Sequence, residues 1–196
     1  MSIFRRLIAV ALAAGVLLTL PGCSKLQKIQ SAISSAQSPV SANISQWTAD
    51  KMTQAFAAIN AKIGADSADY LEVLINEYFL SVKAIDPHKR ENVDKYTYQG
   101  GSVKVAPVDV SRNAPGAVEA SAFKGDTVQP AVLAQTMASA PKESAVENAT
   151  IEYVLVKKFM MLNNNQPEIQ IEIKGPRASK IVHYDLTGKL LNVSQG

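Results

Sequence analysis

The sequence predicts an α+β fold of two tandem units, each a helix packed on an antiparallel sheet of about four strands. Three observations carry this. Residues 168–174 alternate without a break, with Ile169, Ile171 and Ile173 on one side and Glu168, Gln170, Glu172 and Lys174 on the other. That is the period of a strand with one buried and one wet face. Segments 42–63 and 126–140 carry apolar residues at helical spacing. Finally, Tyr96-Thr97-Tyr98-Gln99-Gly100-Gly101-Ser102-Val103 and Val182-His183-Tyr184-Asp185-Leu186-Thr187-Gly188-Lys189-Leu190 look alike. Each is a strand bearing an aromatic, a glycine turn and a return strand, and the two lie about 86 residues apart, as an internal repeat would place them.

The amino terminus is an address rather than part of the fold. Arg5 and Arg6 precede an uncharged apolar run over residues 7–20, and Pro21-Gly22 follow. This is the layout of a secretory signal. The run is about 14 residues long, whereas a spanning helix needs roughly 20. The arginine pair lacks the flanks of a twin-arginine signal, which favours the general secretory route. Leu20-Pro21-Gly22-Cys23 resembles the lipobox of bacterial lipoproteins, with leucine at −3, glycine at −1 and cysteine at +1. The resemblance implies cleavage after Gly22, a diacylglyceryl group on the sulfur of Cys23 and acylation, for example by palmitate, of the new amino terminus. The membrane is then a partner through that lipid. Each buried methylene contributes about 0.8 kcal/mol, so two or three chains hold a protein where one binds marginally. Ser24, in place of aspartate, resembles the sorting pattern of outer-membrane lipoproteins that face the periplasm.

These features divide the chain into a signal peptide (1–22), a lipidated Ser-rich tether (23–41), a first helix-plus-meander unit (42–111) and a second (112–196). The formal charge is +3 over 196 residues, and about +1 without Arg5 and Arg6, which gives no electrostatic case for a nucleic-acid partner. Cys23 is the single cysteine. Once it is lipidated no disulfide is possible, so packing alone holds the fold.

Within the first unit, Ile44, Trp47, Met52, Phe56, Ile59 and Ile63 predict a helix over 42–63. Ser41 or Asn43 caps it and Gly64 ends it. The Trp47, Met52, Phe56 stripe is read as core rather than as a ligand face. Residues 70–86 fit either a helix or two strands turning at Asn76-Glu77. Their Val, Ile, Tyr and Phe content favours the hairpin. Pro87 ends it, and His88-Lys89-Arg90-Glu91 form a charged loop. Gln99-Gly100-Gly101-Ser102 is a tight turn between strands.

Residues 108–124 read as an irregular connection. Asp126 or Thr127 caps the second helix, Pro130 sits in its first turn, and Leu133, Ala134, Met137 and Ala138 form its apolar face. Pro141 stops it. Residues 150–159 are a β-branched strand, Asn163-Asn164-Asn165 a turn tip, Gly175-Pro176 a turn, and 181–185 with 190–193 flank Leu186-Thr187-Gly188-Lys189. This tail, with its Tyr184-Asp185-x-x-Gly188-Lys189 turn, resembles PepSY-like and β-lactamase-inhibitor-like units. The resemblance implies small helix-on-sheet modules over 42–196.

Chemistry is sparse. His88 lies in the charged loop. His183 and Asp185 share a strand face, and His183 reads as an ordinary solvated position. Glu168 and Glu172 read as a wet strand face rather than a catalytic dyad. No nucleophile elbow, phosphate loop, dinucleotide fingerprint or zinc helix occurs. The expected catalytic residues, metal ligands and cofactors are therefore none, and the chain is read as a non-enzyme. The expected function is a membrane-anchored, non-catalytic envelope lipoprotein, serving as a binding or structural module that faces the periplasm and possibly contacts another envelope protein. The alternative is a periplasmic inhibitor or assembly factor docking one enzyme or complex. A hydrolase of envelope material ranks third, and would need a deep pocket holding perturbed carboxylates or His183.

Overall fold

In the computed structural model, which describes residues 43–65, 67–159 and 165–196, the alternating runs become one antiparallel sheet. Gly22, Cys23, the signal peptide and the tether lie outside the described residues, as do Asn163 and Asn164. The strands are β1 (Asp69–Ile75), β2 (Leu80–Ile85), β3 (Val93–Gln99), β4 (Ser102–Val108), β5 (Phe123–Lys124), β6 (Thr150–Lys158), β7 (Pro167–Lys174), β8 (Ser179–Asp185) and β9 (Leu190–Gln195). Their spatial order is β4-β3-β2-β1-β6-β7-β8-β9, with the short β5 also paired to β1.

The α+β class stands, but two separate helix-on-sheet units do not. β1 and β6 pair antiparallel through Val73 with Val156, Leu74 with Leu155 and Ile75 with Val154. The reason is physical. Two isolated meanders would each leave an additional row of unpaired backbone groups at an edge rich in valine and isoleucine. Joining the first strands satisfies both rows and merges two small cores into one.

Directly paired residues share a face of a sheet. One row therefore runs Val105, Tyr96, Val82, Val73, Val156, Ile169, Tyr184, Leu190 across all eight strands of the path. A second runs Val103, Tyr98, Leu80, Ile75, Val154, Ile171, Val182, Val193. Most of these side chains belong to a single buried core.

Two helices cover that face and touch each other. α1 (Ala49–Ile63) lies over β2 to β4, and its partner, introduced below, over β6 to β8. A 3-10 turn, Ile44–Gln46, precedes α1, so the helix expected over 42–63 starts later. Asn43 caps the turn by accepting from the Ser45 N–H at 2.9 Å. Thr48 caps α1 itself, accepting from the Lys51 N–H at 3.3 Å. The Trp47 indole donates to the Asn76 carbonyl at 2.7 Å, which ties this entry to the β1–β2 turn. Trp47, Met52 and Phe56 are buried in the core, as expected of that stripe. Gly64 closes α1 with φ 79°, a left-handed position that glycine adopts freely.

After β4 the chain makes a short helix, α2 (Ala117–Ser121), and then β5. α3 spans Pro130–Ser144. Two expectations fail here. Asp126 and Thr127 lie in a separate 3-10 turn, Gly125–Thr127, and Gln129 precedes α3 with no side-chain cap. Pro141 sits inside α3 rather than ending it. Packing overrides the missing hydrogen bond: Ala140 and Ser144, on either side of Pro141, are fully buried. Gly125 is required by contact. A Cβ there would lie 2.6 Å from the ring of Tyr70.

Candidate functional site

The other face of the sheet carries no helix of the core. Its central row runs Lys104, Thr97, Ser81, Leu74, Leu155, Gln170, His183, Asn192. Only the two leucines at the junction of the halves are apolar. Around this row the two halves differ. On the first, Lys83 pairs with Glu72 at 2.9 Å, while Lys95 lies 5.3 Å from the centre of the Phe79 ring. On the second lies a connected polar cluster.

That cluster overturns the reading of Glu168, Gln170 and His183 as wet positions. They are 3 %, 8 % and 8 % exposed. The register brings them together. Gln170 stands opposite His183, and Glu168 opposite Asp185, one diagonal step from the imidazole. Asn192 stands opposite His183 on the other side, and Ser194 is again one diagonal step away. Diagonal neighbours are within reach of long side chains. His183 Nδ1 lies 3.1 Å from Glu168 Oε1, and Nε2 lies 2.9 Å from Ser194 Oγ. The Gln170 amide donates to the same Glu168 oxygen at 2.7 Å.

The carboxylate fixes the tautomer. An ionised carboxylate only accepts, so in the neutral ring Nδ1 holds the proton and donates to Glu168. Bare Nε2 then accepts from the Ser194 hydroxyl. Asp185 is not part of this group. Its Oδ1 accepts from the N–H and hydroxyl of Thr187 at 2.8 and 2.6 Å and from the Lys189 N–H at 3.0 Å, and so builds the β8–β9 turn. Burial alone would raise the Asp185 pKa; these hydrogen bonds outweigh it and hold the carboxyl below its usual range. His183, expected as an ordinary solvated position sharing a face with Asp185, is thus buried and bonded to Glu168 instead. Beside the cluster, burial and then the Glu172 carboxylate push the Tyr153 hydroxyl up to about 12. Among the described residues no buried side-chain nitrogen or oxygen lacks a hydrogen-bond partner.

Serine, imidazole and carboxylate in this order have the connectivity of a nucleophilic relay. Ser194 stands on an exposed outermost strand. A cavity of about 540 Å³ is lined by Ile44, Glu77, Met137, Pro141 and Ile151. Another of about 550 Å³, on the side away from the two long helices, is lined by Leu71, Lys83, Val93, Ser121 of α2, Lys157 and Phe159. Neither holds the relay. What the relay does is join β7, β8 and β9 through side chains on the face that lacks a helix.

His88 is far simpler. It is exposed, and its backbone N–H donates to Asp86 at 2.8 Å within the charged loop. On the helix side, two buried tyrosines bridge sheet and helices. The Tyr70 hydroxyl donates to Asn60 of α1 at 2.5 Å. Tyr184 donates to Glu143 of α3, with Ser139 also in reach at 3.2 Å. Burial raises both tyrosine pKa values, and Glu143 adds to the effect on Tyr184.

No protein-family model matches the chain and no curated protein matches its sequence, so neither the PepSY-like resemblance nor the lipobox gains support there. Among solved structures, the chain is similar to a Clostridium difficile 630 protein, CD1622, provisionally named a lipoprotein. The match has a TM-score of 0.54 at 17 % identity and covers 74 % of this chain and 92 % of that one. The two share a fold.

The sequence reading missed Glu168, Gln170 and Ser194. One signal was present. Once β7, β8 and β9 are paired through their short turns, alternation places Gln170 opposite His183. Inward polar residues that meet across adjacent strands are then partners rather than separate wet positions.

Proposed function

We propose that this chain is a lipid-anchored protein of the bacterial cell envelope, non-catalytic, whose body presents the helix-free sheet face as a binding surface. The observation that carries the anchor is Leu20-Pro21-Gly22-Cys23 after Arg5-Arg6 and an apolar run. One further observation supports it. A protein of the same fold is provisionally named a lipoprotein. No helix of the described residues is long and apolar enough to cross a membrane.

The binding role rests on asymmetry. Both long helices cover one face and leave the other to Lys83, Lys95 and Lys104 on one half and to the Glu168 cluster on the other. This face carries both charge signs, and the cavity of about 550 Å³ on it is lined by Lys83 and Lys157 as well as apolar side chains; that suits a protein partner better than a small molecule, which would seek an enclosed apolar pocket.

Replacing Cys23 with alanine tests the anchor. Cells fed labelled palmitate should label the wild-type chain and retain it with membranes. Cys23→Ala should be unlabelled and accumulate as an unprocessed precursor. A Cys23→Ala chain that is still processed, lipid-labelled and membrane-bound would overturn the reading.

A further inference from the structure

The two outer strands of the sheet treat their free edges differently. β4 carries Lys104 and Pro107, the latter without an N–H. Both discourage another strand from pairing. β9 has neither a proline nor a charged residue. Instead it exposes Leu190 at 41 %, Leu191 at 38 % and Val193 at 37 %.

The backbone of β9 is also available. The Gly196 N–H donates inward to the Ser179 carbonyl at 3.1 Å. Donation alternates along an antiparallel strand, so Ser194 also donates inward, while Val193 and Gln195 turn their N–H groups outward. Among the described residues no strand lies beyond β9. Leu190 and Val193 end the two apolar rows that cross the sheet. A strand added here would lengthen the ladder and the core face together.

We propose that β9 is the docking edge for a second copy of this chain, which pairs its own β9 antiparallel about a two-fold axis. Two observations favour a second copy over another strand. Two-fold pairing sets a surface against itself, and the uncharged β9 brings no like charges together when it does so. The same pairing at β4 would place two copies of Lys104 on one face of a short ladder. In addition, the chain already joins its halves by this operation: β1 and β6, the first strands of the two meanders, meet antiparallel and both apolar rows continue across the seam. The register shift between His183 and Tyr184 leaves Asn192–Gln195 as the regular stretch for pairing. The inference does not depend on the lipid anchor.

Sedimentation equilibrium of the full chain in density-matched detergent tests it. The wild type should sediment as a dimer at micromolar concentration. Gln195→Pro deletes an outward N–H while sparing the β8 ladder, and should weaken association by about tenfold or more. Val193→Lys, inside the Asn192–Gln195 stretch and partly exposed, places like charges on one face of the paired edge and should act in the same direction, which keeps the test open if the proline variant fails to fold. Val105→Lys, on the opposite edge, should leave association unchanged. A wild-type chain that is monomeric at about 100 μM, far above an ordinary dimer constant, overturns the proposal. So does a folded Val193→Lys chain that associates like the wild type, or a Val105→Lys chain that does not. Mass gained only with a different envelope protein would assign the edge to that partner instead.

Discussion

The two halves of the sheet have the same element order and solve their shared problems with different chemistry. In each, a long helix precedes four meandering strands. The first helix has a side-chain cap at Thr48 and a glycine at its left-handed end. The second has neither: it starts at Pro130 and ends at Ala145, which takes φ 52° without being glycine. On the helix-free face the first half uses solvent-facing lysines and one ion pair, whereas the second buries Glu168, Gln170 and His183 in a closed set of hydrogen bonds. One backbone plan thus tolerates either solution. What both halves share is the pair of apolar rows beneath, which are continuous from one half to the other.

The rows supply the largest expected effect. Ile171→Ala empties a fully buried position of the second half and should cost about 3–4 kcal/mol, and Val82→Ala, in the corresponding row of the first, about 2 kcal/mol. Urea unfolding curves measure both. Two separate unfolding transitions, each shifted by only one of the substitutions, would show that the two halves do not share a core.

The polar faces come next. Glu168→Ala leaves the His183 Nδ1 proton without its acceptor in a buried setting, and should cost about 1–3 kcal/mol. Lys83→Ala breaks the partly exposed pair with Glu72 and should cost about 1 kcal/mol or less. The ratio of the two losses measures how far the second half depends on its cluster. A Lys83→Ala loss that matched the Glu168→Ala loss would remove the distinction.

Acid should destabilise both halves, with different salt dependence. Hydrogen bonding from Lys124, outweighing burial, and then Arg90 lower the pKa of Asp69 in the first half. Backbone and hydroxyl donors do the same for Asp185 in the second. In both, the folded pKa lies below the unfolded one. The stabilisation is therefore complete above the unfolded value, about 3.9, and is lost as pH falls through the folded value. Salt screens the ion pairs of Asp69 more than the neutral donors around Asp185. Urea midpoints of Asp69→Asn should consequently vary less with salt than those of Asp185→Asn. The reverse order would contradict these assignments.

The smallest effects lie at the helix ends. Gly64→Ala should destabilise by about 1 kcal/mol, because it forces an alanine into a left-handed turn. Ala145→Gly should stabilise by somewhat less, because it relieves one. Thermal melts of the two variants should shift in opposite directions.

Much of this was legible in the residues. Alternation at Ile169, Ile171 and Ile173 specified a strand and its buried side, because side-chain direction in a strand is a local property. Gly64, the Gly100-Gly101 turn and the hairpin from Tyr70 onward were equally local. Leu20-Pro21-Gly22-Cys23, on which the proposed lipid anchor rests, lies outside the described residues. Three outcomes depended on partners distant in sequence. Pro141 stays inside α3 because Ala140 and Ser144 are packed there. The two meanders become one sheet because β1 and β6 each offer an edge that the other completes. His183 is buried between Glu168 and Ser194 because β7 and β9 flank it in register. Periodicity tells which way a side chain points, but only tertiary contact decides what it meets, since the free energy of an edge, a kink or a polar group is set by its partner.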